Sequence, residues 1–379
     1  MTQHRPNTSD YRRLFLERLP LLDVRAPVEF NRGAFPTSCN LPLVNDDERC
    51  QIGTRYKESG HQAAVELGHQ LVQGEQKEKR LAAWRDFVSR CPHGYLYCFR
   101  GGERSHIAQS WLAASGFDYP LVTGGYKAMR TFLLEELQRS VAACQFTVVS
   151  GKTGTGKTRF LAQFDHVIDL EKLANHRGSA FGRRMEGQPS QIDFENRLAI
   201  ALLQACQADS PHVLIEDESK LIGHCYVPDI LRDKMARSPV LLLQESLDRR
   251  VQTIYEEYIE HNRTEAIARL GAEGNSTFAR NLVASLDCLR KRLGGLRHQQ
   301  LRETMLQALA NDDDNISRTL HCRWIRTLLS DYYDPMYEFQ LATKKARIVA
   351  SGERALLRAA VHARPHFQAN ACTEEPVQV

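Results

Sequence analysis

The eight residues GKTGTGKT, 151–158, limit what this chain can fold into more than any other stretch. They follow the apolar run FTVVS, 146–150, and precede the helix-forming RFLAQF, 159–164. A G-x-x-x-x-G-K-[ST] loop between a strand and a helix is the context in which backbone N–H groups wrap phosphate oxygens. Amides around Gly151, Gly154 and Gly156 are expected to cradle a diphosphate, Lys157 to reach its terminal oxygens, and Thr158 to offer a hydroxyl to Mg²⁺. Such a loop demands a parallel α/β sheet, and HVLIEDES (212–219) and SPVLLLQ (238–244) supply further strands. In HVLIEDES, Asp217 or Glu216 is a candidate to hold Mg²⁺ through water, with Glu218 placed to orient a nucleophile. The loop reads a diphosphate; nothing in the sequence marks a pocket for a base.

A second anion site is written at YLYCFRGGERSHIAQSWL, 95–112. An apolar run ends in Cys98, and Phe99, Arg100, Gly101, Gly102, Glu103 and Arg104 lead directly into a helix. Two glycines let successive amides turn toward one point, and the helix N-terminus and two arginines add positive charge. A thiol in that field is expected as thiolate, so Cys98, Arg100, Gly101, Gly102 and Arg104 are the candidate catalytic set. LLDVR (21–25), GYLYCF (94–99) and YPLVTGGY (119–126) read as strands alternating with helices, one of them carrying Leu81, Trp84, Phe87 and Val88 at helical spacing.

Bulk composition excludes several classes. Hydrophobic residues make up 42% and charged residues 25%, with a net charge of +4, so any nucleic-acid surface must come from local clusters. No apolar run approaches the ~20 residues that cross a bilayer. The N-terminus lacks the apolar centre of a signal peptide, and the ten cysteines show no CxxC spacing. The expectation is a cytoplasmic protein with reduced thiols and no disulfide framework. Basic clusters do occur late in the chain. Arg290, Lys291 and Arg292 fall in CLRKRLGGLRHQQLRE (288–303), and Lys344, Lys345, Arg347, Arg354, Arg358 and Arg364 in 341–366. They are the candidate RNA contacts, with the tyrosines of YYDPMYEFQ (332–340) as base-stacking groups; a solvated helix face with core tyrosines is the alternative. LANHRGSAFG (173–182) is a dense polar loop suited to anion or RNA contact, or simply an exposed loop.

LLDVRAPVEFNRGAFPTSCNLPL, YCFRGGERSHIAQSWLAASGF and VTGGYKAMR resemble the opening, the active-site loop and the closing turn of a rhodanese domain. The resemblance implies sulfur or selenium carried on Cys98. Five residues separate Cys98 from Arg104, one more than in the common sulfurtransferase loop and equal to the Cys-x5-Arg spacing of related phosphatases. A wider nest suits a phosphate-sized anion such as selenophosphate or a phosphoester. A rhodanese-like region followed by a P-loop region resembles the tRNA 2-selenouridine synthase family over nearly the whole chain. That resemblance implies conversion of wobble 2-thiouridine to 2-selenouridine through S-geranyl-2-thiouridine, using geranyl diphosphate and selenophosphate, with a Cys98 perselenide-type intermediate. It implies tRNA as partner together with the selenophosphate-producing enzyme, no membrane, and no tightly bound cofactor beyond a candidate Mg²⁺. The expected organisation is a rhodanese-like parallel sheet with helices at 10–138, a P-loop NTPase-like α/β domain at 139–250 carrying Asp217, and a helical basic region with tRNA contact at 251–379. The competing readings are a Cys-x5-Arg phosphatase with a regulatory P-loop domain and a non-catalytic NTP-dependent RNA-binding protein.

Overall fold

The computed structural model describes residues 5–207 and 211–363; Arg364 and the tail after it lie outside the described residues. The chain divides into two compact units, Met1–Ser140 with Ser190–Gln204, and Val141–Pro189 with Ala205–Val379. The sequence suggested three successive regions. Contacts instead give 190–204 to the first unit and keep the late helices with the P-loop sheet.

In the first unit β1 (Leu21–Asp23) lies between β2 (Ser38–Asn40) and β3 (Tyr95–Tyr97), all parallel. Single parallel bridges continue the sheet through Leu96 to Leu121 and through Val122 to Thr8. Every side chain of β1 and β3 is buried, as expected for a parallel sheet covered on both faces. The helix Gly74–Arg90 turns Leu81, Trp84, Phe87 and Val88 inward, the face its spacing predicts. Trp84 is fully enclosed and donates its indole N–H to the Leu41 carbonyl at 2.9 Å, so its polar atom is satisfied where its rings are buried.

In the second unit five parallel strands run in the order β10-β9-β4-β6-β5: β4 is Gln145–Ser150, β5 Val167–Ile168, β6 His212–Glu216, β9 Val240–Leu243 and β10 Ile348–Gly352. A small antiparallel hairpin, β7 (Leu221–Ile222) with β8 (Cys225–Tyr226), lies outside that sheet. The continuous apolar runs of β4, β6 and β9 fit central strands, whereas β10 alternates in burial as an edge strand does. β10 comes from the region expected to be almost wholly helical, and it pairs in parallel with β9. The late helices bury Trp324, Ile325, Leu328, Met305, Phe278 and Leu282 in one core. Among the described residues no helix is long and apolar enough to cross a membrane.

The expectation of free thiols throughout is corrected at one place: Cys144 and Cys206 form a disulfide. β4 and β6 pair from Gln145 and His212 onward; Cys144 directly precedes β4, and Cys206 directly follows the helix Gln191–Ala205 from which the chain returns to β6. Strand pairing thus brings their Cα atoms to 6.3 Å, within bridging reach.

Candidate functional sites

Cys98 directly follows β3 and begins the loop that ends at the helix Glu103–Ala114. Gly101 has φ of +68°, and a Cβ there would lie 2.7 Å from the Gly124 amide nitrogen. Gly125, at φ +59°, allows the reciprocal approach, since a Cβ on it would sit 2.4 Å from the Cys98 carbonyl oxygen. The amides of Tyr126 and Lys127 donate to the carbonyls of Cys98 and Phe99, both at 2.9 Å. The Gly-Gly turn therefore clamps the loop's carbonyls on one side. Among the described residues nothing accepts from the amides of Arg100, Gly101, Gly102, Glu103 or Arg104, leaving a run of N–H donors at a helix N-terminus.

The thiol is more enclosed than a loop position suggests. Cys98 is 3% exposed, shares a core with Val24, Ala26 and Ala108, and its Sγ lies 3.9 Å from the Gly102 carbonyl oxygen. Because Cys98 leaves the end of a buried strand, its side chain starts on the floor of the loop. Arg104 also departs from its expected part as an uncompensated cation. Its two terminal nitrogens grip the Glu29 carboxylate at 2.5 and 3.1 Å. Burial would raise the Glu29 pKa, but the Arg104 hydrogen bond and charge outweigh it and hold the carboxyl below its usual range. Arg100 is exposed, beside a hollow also lined by Tyr11, Gly124, Lys127 and Phe132. Beneath the loop, Arg25 and Asp23 form a fully buried forked ion pair, with Tyr97 donating to the same carboxylate at 2.7 Å. Asn40 closes the group by donating to the Asp23 and Arg25 carbonyls.

The second site lies where β4 and β6 end. Gly154 and Gly156 take φ of +84° and +77°, and the helix Lys157–Leu161 begins directly after. Lys157 donates to the Gly151 carbonyl at 3.3 Å, while Thr158 is exposed. Carboxylate oxygens of Glu171, Glu216 and Glu218 lie within 4.8 Å of one another. Burial alone would lower the Lys157 pKa; the surrounding Glu216, Glu171, Glu218 and Asp217 charges hold it above the ordinary lysine value. Burial raises all three glutamates; the Glu171 charge adds to it for Glu216 and Glu218, and Asp169 for Glu171, with Glu218 pushed up to about 8. The Gly178 amide donates to Glu171 at 2.5 Å, and a Cβ on Gly178 would strike the Glu218 and Glu171 carboxylates. The polar loop at 173–182 thus fits against this cluster.

Asp217 turns the other way, as neighbours in extended chain do. Ser150 and Lys344 both donate to its Oδ2. Of the two Mg²⁺ candidates at the end of β6, Glu216 therefore faces Lys157 with Glu171 and Glu218, while Asp217 is neutralised by a lysine. Hard oxygen ligands suit Mg²⁺, and the three glutamates fit that ion better than Thr158 with Asp217.

The basic residues divide. Arg290, Lys291 and Lys345 are exposed, and Arg292 approaches the Tyr332 hydroxyl at 3.5 Å. Arg347 donates to the carbonyls of Met235 and Ser238 at 3.0 and 2.7 Å, so it ties strand ends together as Lys344 does. Tyr333 is buried in the helical core and Tyr337 bonds Ser150 at 2.9 Å, which leaves neither free to stack on a base. Asp334, in the same segment, pairs with buried Arg250, whose Nε donates to the Thr153 carbonyl of the phosphate loop. Sequence reasoning missed Arg354 as a phosphate-loop residue. Its Nη2 donates to the Thr155 carbonyl at 3.1 Å and lies 2.4 Å from where a Cβ on Gly156 would be.

With this geometry in place, likeness to known proteins is informative. The family profile described as the tRNA 2-selenouridine synthase AAA domain matches residues 144–367. The tRNA 2-selenouridine synthase of Marinobacter nauticus is 51% identical over 349 residues, 92% of this chain and 95% of that one. The chain belongs to the tRNA 2-selenouridine synthase family. The synthases of Alcanivorax borkumensis (49% identity, 95% of this chain, 100% of that one) and Hahella chejuensis (52%, 93% of each) agree. Among solved structures, the N-terminal domain of a protein described as ATP/GTP binding, from Clostridium difficile 630, aligns at 28% identity over 34% of this chain and 98% of its own. Its TM-score of 0.30 is too low to bear on the fold. Membership spans both sites, since the relatives align over 92% or more of the chain.

Proposed function

We propose that the chain is a tRNA 2-selenouridine synthase, a cytoplasmic transferase that works in two stages through two anion cradles. The phosphate loop holds geranyl diphosphate. The wobble thiouridine sulfur attacks C1 of the geranyl group, the C1–O bond breaks, diphosphate leaves, and the base loses its N3 proton. Gly151, Gly154, Gly156 and Lys157 stabilise the departing charge; Glu171, Glu216 and Glu218 would hold Mg²⁺, which would add to that stabilisation when bound. The Cys98 loop takes selenophosphate, received from the enzyme that makes it. The selenium of selenophosphate, held at the Cys98 loop, then attacks C2 and the C2–S bond breaks to release geranylthiolate, for which alkylation has made sulfur a better leaving group; water takes the phosphoryl group as the Se–P bond breaks, leaving phosphate and the 2-seleno base. Arg290, Lys291 and Lys345 meet the tRNA backbone. The rhodanese-like reading of the first unit is supported by its parallel sheet, its strand–Cys–loop–helix order and the Asp23–Arg25 pair beneath.

The observation that carries this reading is the occurrence, in one member of this family, of two distinct runs of backbone donors, one above a cysteine and one capped by a lysine. The test supplies Lys157→Ala with unmodified and with pre-geranylated tRNA. Loss of geranylation with selenation of the second substrate intact supports the assignment; equal loss of both contradicts it.

A further inference from the structure

Single exposed hydrophobic side chains are ordinary on a protein surface, and most of those in this chain are aliphatic. Among the described residues only two phenylalanine, tyrosine or tryptophan side chains are exposed, Tyr56 at 56% and Phe339 at 80%. Each stands beside one of the two anion sites. Tyr56 is held at a corner: the helix Asp46–Leu71 breaks at Gly60, whose φ of +81° and ψ of −172° suit glycine almost alone. A Cβ on Gly60 would meet nothing within 4 Å, so the glycine serves the bend and not a close approach. The bend sets the Tyr56 ring edge-on to His61, centroids 6.5 Å apart. His61 Nε2 in turn lies 4.0 Å from the carboxylate of Glu103, the residue that starts the helix after the cysteine loop. Arg55 and Lys57, on either side of Tyr56, are exposed.

Phe339 lies on the helix Asp334–Ala342, which is fastened along the phosphate loop: Tyr337 and Ser150 share a hydrogen bond at 2.9 Å, and Glu338 accepts from Lys152 at 2.7 Å. Met336 and Phe339, three residues apart and so on one face, are left exposed. Arg292 reaches the Tyr332 hydroxyl just before that helix, and Lys345 is exposed just after it. The acidic neighbour Glu338 is neutralised by Lys152.

Charge complementarity defines the occupant. An aromatic face set among cations next to an anion cradle matches unpaired RNA, whose bases stack and whose backbone is negative. A stable protein partner needs a far wider apolar patch than one ring and its neighbours. We infer that Tyr56 and Phe339 are stacking platforms, one at each site, on which an unpaired anticodon-loop base rests while that site acts on the RNA. The inference rests on the tRNA reading of the two sites and adds the side chains that hold the RNA at each.

The test measures KM and kcat of the full chain for geranylation of unmodified tRNA and for selenation of pre-geranylated tRNA. Tyr56→Ala is expected to raise KM about tenfold in selenation alone, and Phe339→Ala about tenfold in geranylation alone, with kcat changed less. Tyr56→Phe and Phe339→Tyr keep a ring face and should retain the wild-type KM, whereas leucine at either position should behave as alanine does. A second readout is independent of the chemistry: quenching of 2-aminopurine placed at the wobble position of an anticodon stem-loop RNA. Quenching by wild type that disappears in the double variant Tyr56→Ala with Phe339→Ala supports the platforms. Unchanged KM in both alanine variants overturns them, and so does rescue by leucine, quenching that survives the double variant, or RNA bound by wild type without quenching. A common rise of both KM values in each variant overturns the assignment of one ring to each site. Wild type that binds no RNA overturns the tRNA reading together with the platforms.

Discussion

The guanidinium of Arg354 rests on the carbonyl of Thr155, 199 residues earlier in the chain, and closes over Gly156 of the phosphate loop. Its Nε is buried and makes no hydrogen bond. The arginine is delivered by β10, which pairs with β9, itself next to β4, so sheet order rather than local sequence puts it there. Arg354→Ala is expected to weaken pyrophosphate binding about tenfold or more, since a charge-assisted hydrogen bond is worth about 1.5–3 kcal/mol. Arg354→Gln, which keeps a donor for Thr155 but no charge, should lose nearly as much, and Arg354→Lys less. Full binding by Arg354→Gln in calorimetry would reduce the arginine to a loop brace.

Titration of the glutamate cluster predicts a pH-dependent stability. Glu218 has its pKa raised from 4.5 to about 8, first by burial and then by Glu171. A carboxyl raised in the folded state binds more protons there than when unfolded, so its contribution is complete below 4.5 and lost as pH rises through about 8. Thermal midpoints measured without divalent cations should fall across that interval, and Glu218→Gln should flatten the fall. Mg²⁺ competes with the protons, so its stabilisation should be larger at the upper end. A midpoint independent of pH in wild type contradicts the geometry of the cluster.

Much of both sites was legible in the sequence because each is local. The strand–loop–helix order around Lys157 and around Cys98 follows from apolar runs, glycines and helix starts within twenty residues. What was not legible depends on partners far away. No periodicity tells that Ala34 donates to Asp193 and so draws the helix Gln191–Ala205 to the first unit. Nor does composition separate Lys344 and Arg347, which bond Asp217 and strand-end carbonyls, from Lys345, which faces solvent. The choice between Glu216 and Asp217 turned on which side of one strand end met Lys157.

Gly125→Ala should act on the cysteine loop without touching the thiol. The added methyl meets the Cys98 carbonyl at 2.4 Å and the Gly101 nitrogen at 2.5 Å, both backbone atoms with little room to yield. Selenation of pre-geranylated tRNA is expected to fall by about two orders of magnitude, as misplacement by an ångström does, while geranylation continues. Separate assays of the two half-reactions check this.

Arg104 and Glu29 form a forked pair that a lysine cannot reproduce. Glu29 is largely buried, and Arg49 at 3.3 Å remains as its second cation, so Arg104→Ala removes the nearer partner and is expected to cost about 1.5–3 kcal/mol in urea denaturation. Glu29→Gln with Arg104→Ala should recover part of that loss. No recovery in the double variant would show that the pair is not coupled.

The most direct measurement is mass spectrometry of wobble nucleosides from tRNA incubated with Cys98→Ser, geranyl diphosphate and selenophosphate. Two cradles with divided labour predict that S-geranyl-2-thiouridine accumulates and 2-selenouridine is not formed. Appearance of 2-selenouridine at the wild-type rate would contradict the account.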